Sequence, residues 1–154
     1  MGKYLKSNQV ISGREGEILV NIDGNVISAV EIKKLTCIAE KQKSEFKVIG
    51  YRNTQNKATG LKCIGSLTMY YGVSMWTKIM EKYSKTGVDT SFSIVVTNED
   101  PSTDLGAQRI RLNGVNMNSL VIAQVDAETE FLTQDVDFTY DDFDVLDEFN
   151  TIVV

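Results

Sequence analysis

The chain predicts a mainly β domain, α+β in class, with one flanking helix and one long polar hairpin. Three observations carry this. Period-two alternation of apolar and polar residues recurs along the chain. Helical spacing of apolar residues occurs in one stretch. Between residues 33 and 62 the sequence stays extended in character while apolar residues thin out. All 154 residues read as one domain, long enough to bury a core without a metal or a disulfide.

Residues 1–16 read as a polar N-terminal arm, ended by the turn-rich Ser12-Gly13-Arg14-Glu15-Gly16. Ile18, Val20 and Ile22 then alternate with Glu17, Leu19 and Asn21, which predicts a strand. Asp23-Gly24-Asn25 predicts a tight turn, because glycine tolerates positive φ. A second strand is expected from Val26 to about Ile32. Residues 33–62 predict an extended hairpin and loop, with residues 51–60 as its polar loop. From Leu61 to Tyr71 the odd positions Leu61, Cys63, Gly65, Leu67, Met69 and Tyr71 alternate with Lys62, Ile64, Ser66, Thr68 and Tyr70, another strand. The hairpin is too polar near its tip for a monomer core. Either it pairs with another chain or its lysines guard an edge.

Residues 73–86 predict the helix. Val73, Trp76, Ile79, Met80 and Tyr83 fall on one face, Lys82 and Lys85 suit the C-terminal dipole, and Gly87 is the stop. Phe92, Ile94 and Val96 alternate in a following strand, and 98–106 is a loop holding the single proline, Pro101. Arg109–Leu112 and Leu120–Val125 are expected as strands, with Asn113-Gly114 a turn or bulge between them. Leu132, Val136, Phe138 and Tyr140 form an apolar face opposite Thr133, Asp135, Asp137 and Thr139. Phe149–Val154 is expected as a short, frayed tail.

Charge is unevenly placed. Residues 1–85 hold 14 Lys/Arg and 7 Asp/Glu, whereas residues 86–154 hold 14 Asp/Glu and only Arg109 and Arg111. Such halves either bind head to tail between copies or interleave within the fold. The acidic half argues against tight nucleic-acid binding. Histidine is absent, which excludes His-based triads and His-ligated metals. Phosphate-binding glycine loops and serine-nucleophile motifs are absent too, so no catalytic, cofactor or metal residue is assigned and no enzyme is expected. Cys37 and Cys63 read as reduced packing residues. The seven carboxylates of residues 135–148 lack an EF-hand pattern and read as a solvated or interface surface. Met1–Lys6 has no signal-peptide core, and no apolar run reaches the ~18 residues of a membrane helix, so no membrane anchor and cytoplasmic assembly are expected.

Five segments, in order, carry a resemblance. They are Ile11-Ser12-Gly13-Arg14-Glu15-Gly16, Lys57-Ala58-Thr59-Gly60, Gly65-Ser66-Leu67-Thr68-Met69-Tyr70, Arg109-Ile110-Arg111-Leu112 and Phe138-Thr139-Tyr140-Asp141-Asp142-Phe143-Asp144. Over nearly the whole chain this set resembles the tail tube proteins of contractile-tailed phages and phage-like bacteriocins, the PBSX-like prophage family. The resemblance implies a tail-tube-type β-sandwich or barrel with one flanking helix. It implies a virion tail or bacteriocin particle in which six-membered rings of the protein stack into a hollow tube. Its implied partners are further copies of itself, a surrounding sheath protein, and baseplate and tail-terminator proteins, with DNA in the channel of a true phage. Arg14, Lys33, Lys34, Arg52, Lys57, Thr59, Gly60, Asp141, Asp142 and Asp144 are the candidate assembly residues. The alternatives are a tube subunit of a related secretion or contractile injection system, and a monomeric ligand-binding β-sandwich.

Overall fold

The computed structural model describes residues 3–152. Met1 and Gly2 of the expected arm, and Val153 and Val154 of the expected tail, lie outside the described residues. Eight antiparallel strands form one continuous sheet in the order β2-β1-β5-β6-β7-β4-β3, with β8 also on β6. They are β1 (Gly16–Ile22), β2 (Asn25–Ser28), β3 (Ile32–Phe46), β4 (Gln55–Tyr70), β5 (Phe92–Glu99), β6 (Ala107–Met117), β7 (Thr133–Thr139) and β8 (Asp142–Asp147). One helix, α1 (Met75–Thr86), follows β4.

The sheet doubles over at β6. Along one edge β6 pairs with β8 from Arg109 to Asn113, then with β7 at Asn116 and Met117. The changeover coincides with a bulge. Phe92 faces Val115 while Ile94 faces Leu112, so β6 carries an extra residue there. Gly114 takes φ +67° at this point. A β-carbon on it would run into the Asp141 carboxylate, so only glycine fits. The Asn113-Gly114 pair is therefore a bulge inside one long strand.

Folding over brings two inner faces together. Val20, Ile22, Phe92, Ile94, Leu112 and Val115 from one half meet Leu67, Met69, Val136 and Phe138 from the other in a single core. The alternation read for 132–140 holds: Val136 and Phe138 point in, Asp135 and Asp137 out. Gln134 shares the inner face and is satisfied there, its Oε1 accepting from the Val121 N–H at 3.1 Å. Gly65 leaves room for the Phe138 ring, which a β-carbon at that position would strike.

Helix α1 starts two residues after the expected boundary, and Val73 lies exposed before it. Trp76 alone of the helix is fully buried, packed on Phe92 with ring centroids 5.5 Å apart. Gly87 stops the helix at φ +73° with its N–H on the Tyr83 carbonyl.

Three expectations need correction. The second strand ends at Ser28, and a break at residues 29–31 precedes β3; there Ala29 turns into the core and donates its N–H to Ile18 O. Residues 120–125 are not a strand. They run beside β7 on side-chain hydrogen bonds, Val121 N–H to Gln134 and Gln124 Nε2 to Thr133 O. Residues 51–60 are not all loop, since β4 begins at Gln55 and pairs with Phe46. Solvent on both faces removed the apolar alternation that would have marked this strand. The acidic stretch 142–147, read only as a solvated or interface surface, forms an exposed strand, β8, on the side of β6.

Candidate assembly surfaces

The β3–β4 pair outgrows the body. β3 pairs with β4 from Ile32/Met69 to Phe46/Gln55, whereas β4 pairs with β7 only from Ile64 to Tyr70. One further bond, Tyr140 N–H to Cys63 O, ends that ladder. Beyond it the two strands continue alone for about 25 Å at the usual rise per residue. Lys41, Lys43, Lys57 and Lys62 lie on this ribbon. Thr59 is its extra residue: Gln42 faces Gly60 while Lys43 faces Ala58, and the Thr59 hydroxyl donates to Gln42 O at 3.2 Å. Arg52 sits in the connection at the tip, residues 47–54.

The tip is less polar than its sequence suggests. Phe46, Val48 and Tyr51 are about half exposed or less, and Ile49 is fully exposed at the turn. Gly50 takes φ +89° beside it. The apolar letters were visible at 46–49. Nothing in their spacing said that the chain reverses there, so they read as part of the hairpin's body.

Arg14, Lys33 and Lys34 come together. They line one groove between the start of β1 and the start of β3, floored by Ile18, Ala29, Leu35 and Val96. The Lys33 ammonium also lies 5.9 Å from the Tyr70 ring centroid. The backbone around Arg14 is tied down through Asp100, which accepts from Ser12 N–H at 2.9 Å and from Ser102 N–H at 2.9 Å. Those two donors hold the Asp100 carboxyl below the usual range.

The acidic candidates occupy another edge. Asp144 on β8 accepts from Arg111 and from Asn113, both at 2.9 Å. These hydrogen bonds, with the Arg111 charge, hold its carboxyl below the usual range. Asp147 faces Arg109 at 3.8 Å. Among the described residues these are the two ion pairs, and both lie within the acidic half. The two halves therefore do not neutralise each other through close pairs in this chain. Asp142 is exposed, and Asp141 packs over Gly114 with its N–H on Asn113 O. Arg109, Arg111 and Asn113 were not among the candidates. They acquire their role only because β8 lies beside β6, which the run of carboxylates did not announce.

Among the described residues the open strand edges include the outer edges of β2 and β3 at the ends of the sheet, the outer edge of β8, and the side of β4 facing away from β3 over residues 55–62. That of β3 is 15 residues long. Cys37 and Cys63 are free thiols at the base of the ribbon, and burial pushes Cys37 up to about 11. The Cys37 thiol therefore stays protonated and unreactive. Among the described residues no three Cys, Asp or Glu side chains converge as metal ligands.

The family described as phage tail tube protein matches residues 3–147. Two Bacillus subtilis (strain 168) proteins are similar. The protein YqbM is 38% identical over 141 residues, covering 92% of this chain and 93% of its own. The phage-like element PBSX protein XkdM is 37% identical over 141 residues, with the same coverage. Among solved structures, a chain of the sheath/tube terminator of an extracellular contractile injection system, in its extended state, superposes with a TM-score of 0.69. It is 10% identical and covers 92% of this chain and 100% of that one.

Proposed function

The chain belongs to the phage tail tube protein family, and from that premise we propose that it is the repeating subunit of a tube built from stacked six-membered rings. As a tail tube subunit its role is structural. We read that role as mechanical rather than catalytic: a stiff hollow rod around which a sheath contracts, driving it through a target envelope.

The observation that carries the reading is the set of open edges. A sheet that ends in a 15-residue strand with one side unpaired is an aggregation hazard for a lone molecule. In a ring the neighbour's sheet covers it, and the ring's sheets close into one barrel around a channel. Stacking the same faces head to tail is heterologous and leaves the end of the stack open, so it makes a filament. The projecting ribbon and the groove of Arg14, Lys33 and Lys34 supply reach and a positive surface for such contacts.

Sheath, tail terminator and baseplate are the proposed partners along and at the ends of the tube, and the particle tail is the proposed location. The sheath and terminator follow from the extended-state neighbour, whose description names both. Electron microscopy of the purified protein after concentration tests the reading. Rings or hollow tubes are expected; a solution that stays monomeric at high concentration overturns it.

A further inference from the structure

Resting on the reading that copies of this chain associate, we infer that the outer edge of β8 in one copy docks on the basic ribbon of a second copy. Two edges flank one opening. The ladder between β4 and the strand leading into β8 ends at Cys63 O and Tyr140 N–H. From that point β8 turns to β6, and residues 55–62 of β4 leave with the ribbon. Over residues 55–62 the side of β4 facing away from β3, and along β8 the side facing away from β6, are therefore both unpaired among the described residues. Diverging from a common point, they cannot satisfy each other within one chain.

Their chemistry is complementary. β8 carries Asp142, Asp144 and Asp147, with Glu148 next along the chain. Arg109 and Arg111 answer Asp147 and Asp144, leaving Asp142 and Glu148 without an ion-pair partner among the described residues. The opposing ribbon carries Lys57 and Lys62 on β4 and Lys41 and Lys43 on β3. Apolar groups lie exposed on both: Phe143, Val145 and Leu146 on β8, and Leu61 on β4. Backbone pairing supplies affinity, and the opposite charges set which edges meet. Because the two edges differ, the contact is heterologous and repeats around a ring or along a stack.

Two charge-reversed proteins test this, Asp142→Lys with Glu148→Lys, and Lys57→Glu with Lys62→Glu. All four positions are exposed, and circular dichroism checks that each variant keeps its fold. Each variant alone is expected to lose its sedimenting assemblies by roughly tenfold or more, since like charges then face each other. Combining all four changes in one chain restores opposite signs and should restore assembly. A β8 variant that assembles like the unaltered protein overturns the inference, as does a four-fold variant that stays dispersed while folded. Failure of the unaltered protein to assemble would instead remove the self-association reading beneath it.

Discussion

The Trp76 indole N–H donates to the Glu31 carboxylate at 3.0 Å, joining helix α1 to the short break between β2 and β3. The ring itself is buried against Phe92, so its apolar body and polar edge are both satisfied. Trp76→Ala should cost ~3–5 kcal/mol, the range for removing a large aromatic from a packed core. Trp76→Phe keeps most of the packing and loses the hydrogen bond, for a smaller loss of ~1–3 kcal/mol. Urea unfolding with equal slopes for each variant checks both values.

Gly114 and Asp141 share too little space for a side chain at 114, and the positive φ adds strain to any replacement. Gly114→Ala is expected to destabilise by about 1–3 kcal/mol. Adding Asp141→Gly should return the steric part and leave the conformational part. A double-mutant cycle measures the split, and additivity of the two changes would show that the carboxylate is not the obstacle.

Asp144 provides the pH prediction. Its folded pKa lies below the ordinary 3.8 because Arg111 and Asn113 donate to it. Its contribution is therefore complete above the unfolded value and disappears as pH falls through the folded one. Arg111→Gln should move the Asp144 titration upward toward 3.8, read from its carboxyl carbon resonance. An unchanged midpoint would mean that Asn113 alone sets the shift.

Assembly should weaken as salt rises, because the charged edges are exposed and screening shortens their reach to ~8 Å at physiological ionic strength. Sedimentation at low and high salt reads this directly. Tubes that lengthen with added salt would point to apolar stacking as the main contact.

Replacing residues 48–53 at the ribbon tip with a short Gly-Ser turn should leave the subunit folded, since none of them reaches the core. The variant should no longer form tubes, having lost Ile49 and Tyr51 as exposed contacts. Circular dichroism follows the fold and electron microscopy the tubes; normal tubes would remove the tip from assembly.

Where one face of a strand is buried and the other wet, the sequence spelled the structure out. Ile18-Val20-Ile22 and Val136-Phe138 needed only alternation, and Trp76 with Gly87 marked the helix. The reading failed where that contrast is missing. Residues 55–60 are wet on both faces, so β4 began earlier than its pattern shows. Leu120 and Val121 are partly buried without being in a ladder, and looked like a strand. For the candidate surfaces, the basic groups were legible as charge. That Arg14 lies in one groove with Lys33 and Lys34 depends on the folded-over sheet bringing the turn before β1 near the start of β3, which no local pattern encodes.

The loop at residues 100–106 is a shared mooring. From one end of the chain Asn8 holds Asp104 by side chain at 2.7 Å and by its backbone carbonyl at 3.0 Å, while Ser12 holds Asp100. From the other end Asn150 ties to Leu105 O at 2.7 Å and to Asp104 O at 3.1 Å. Stretches of chain some 140 positions apart in sequence thus hang on one short segment. Disturbance of either therefore reaches the other without passing through the core, and a peptide grafted beyond either stretch emerges from the same corner of the subunit.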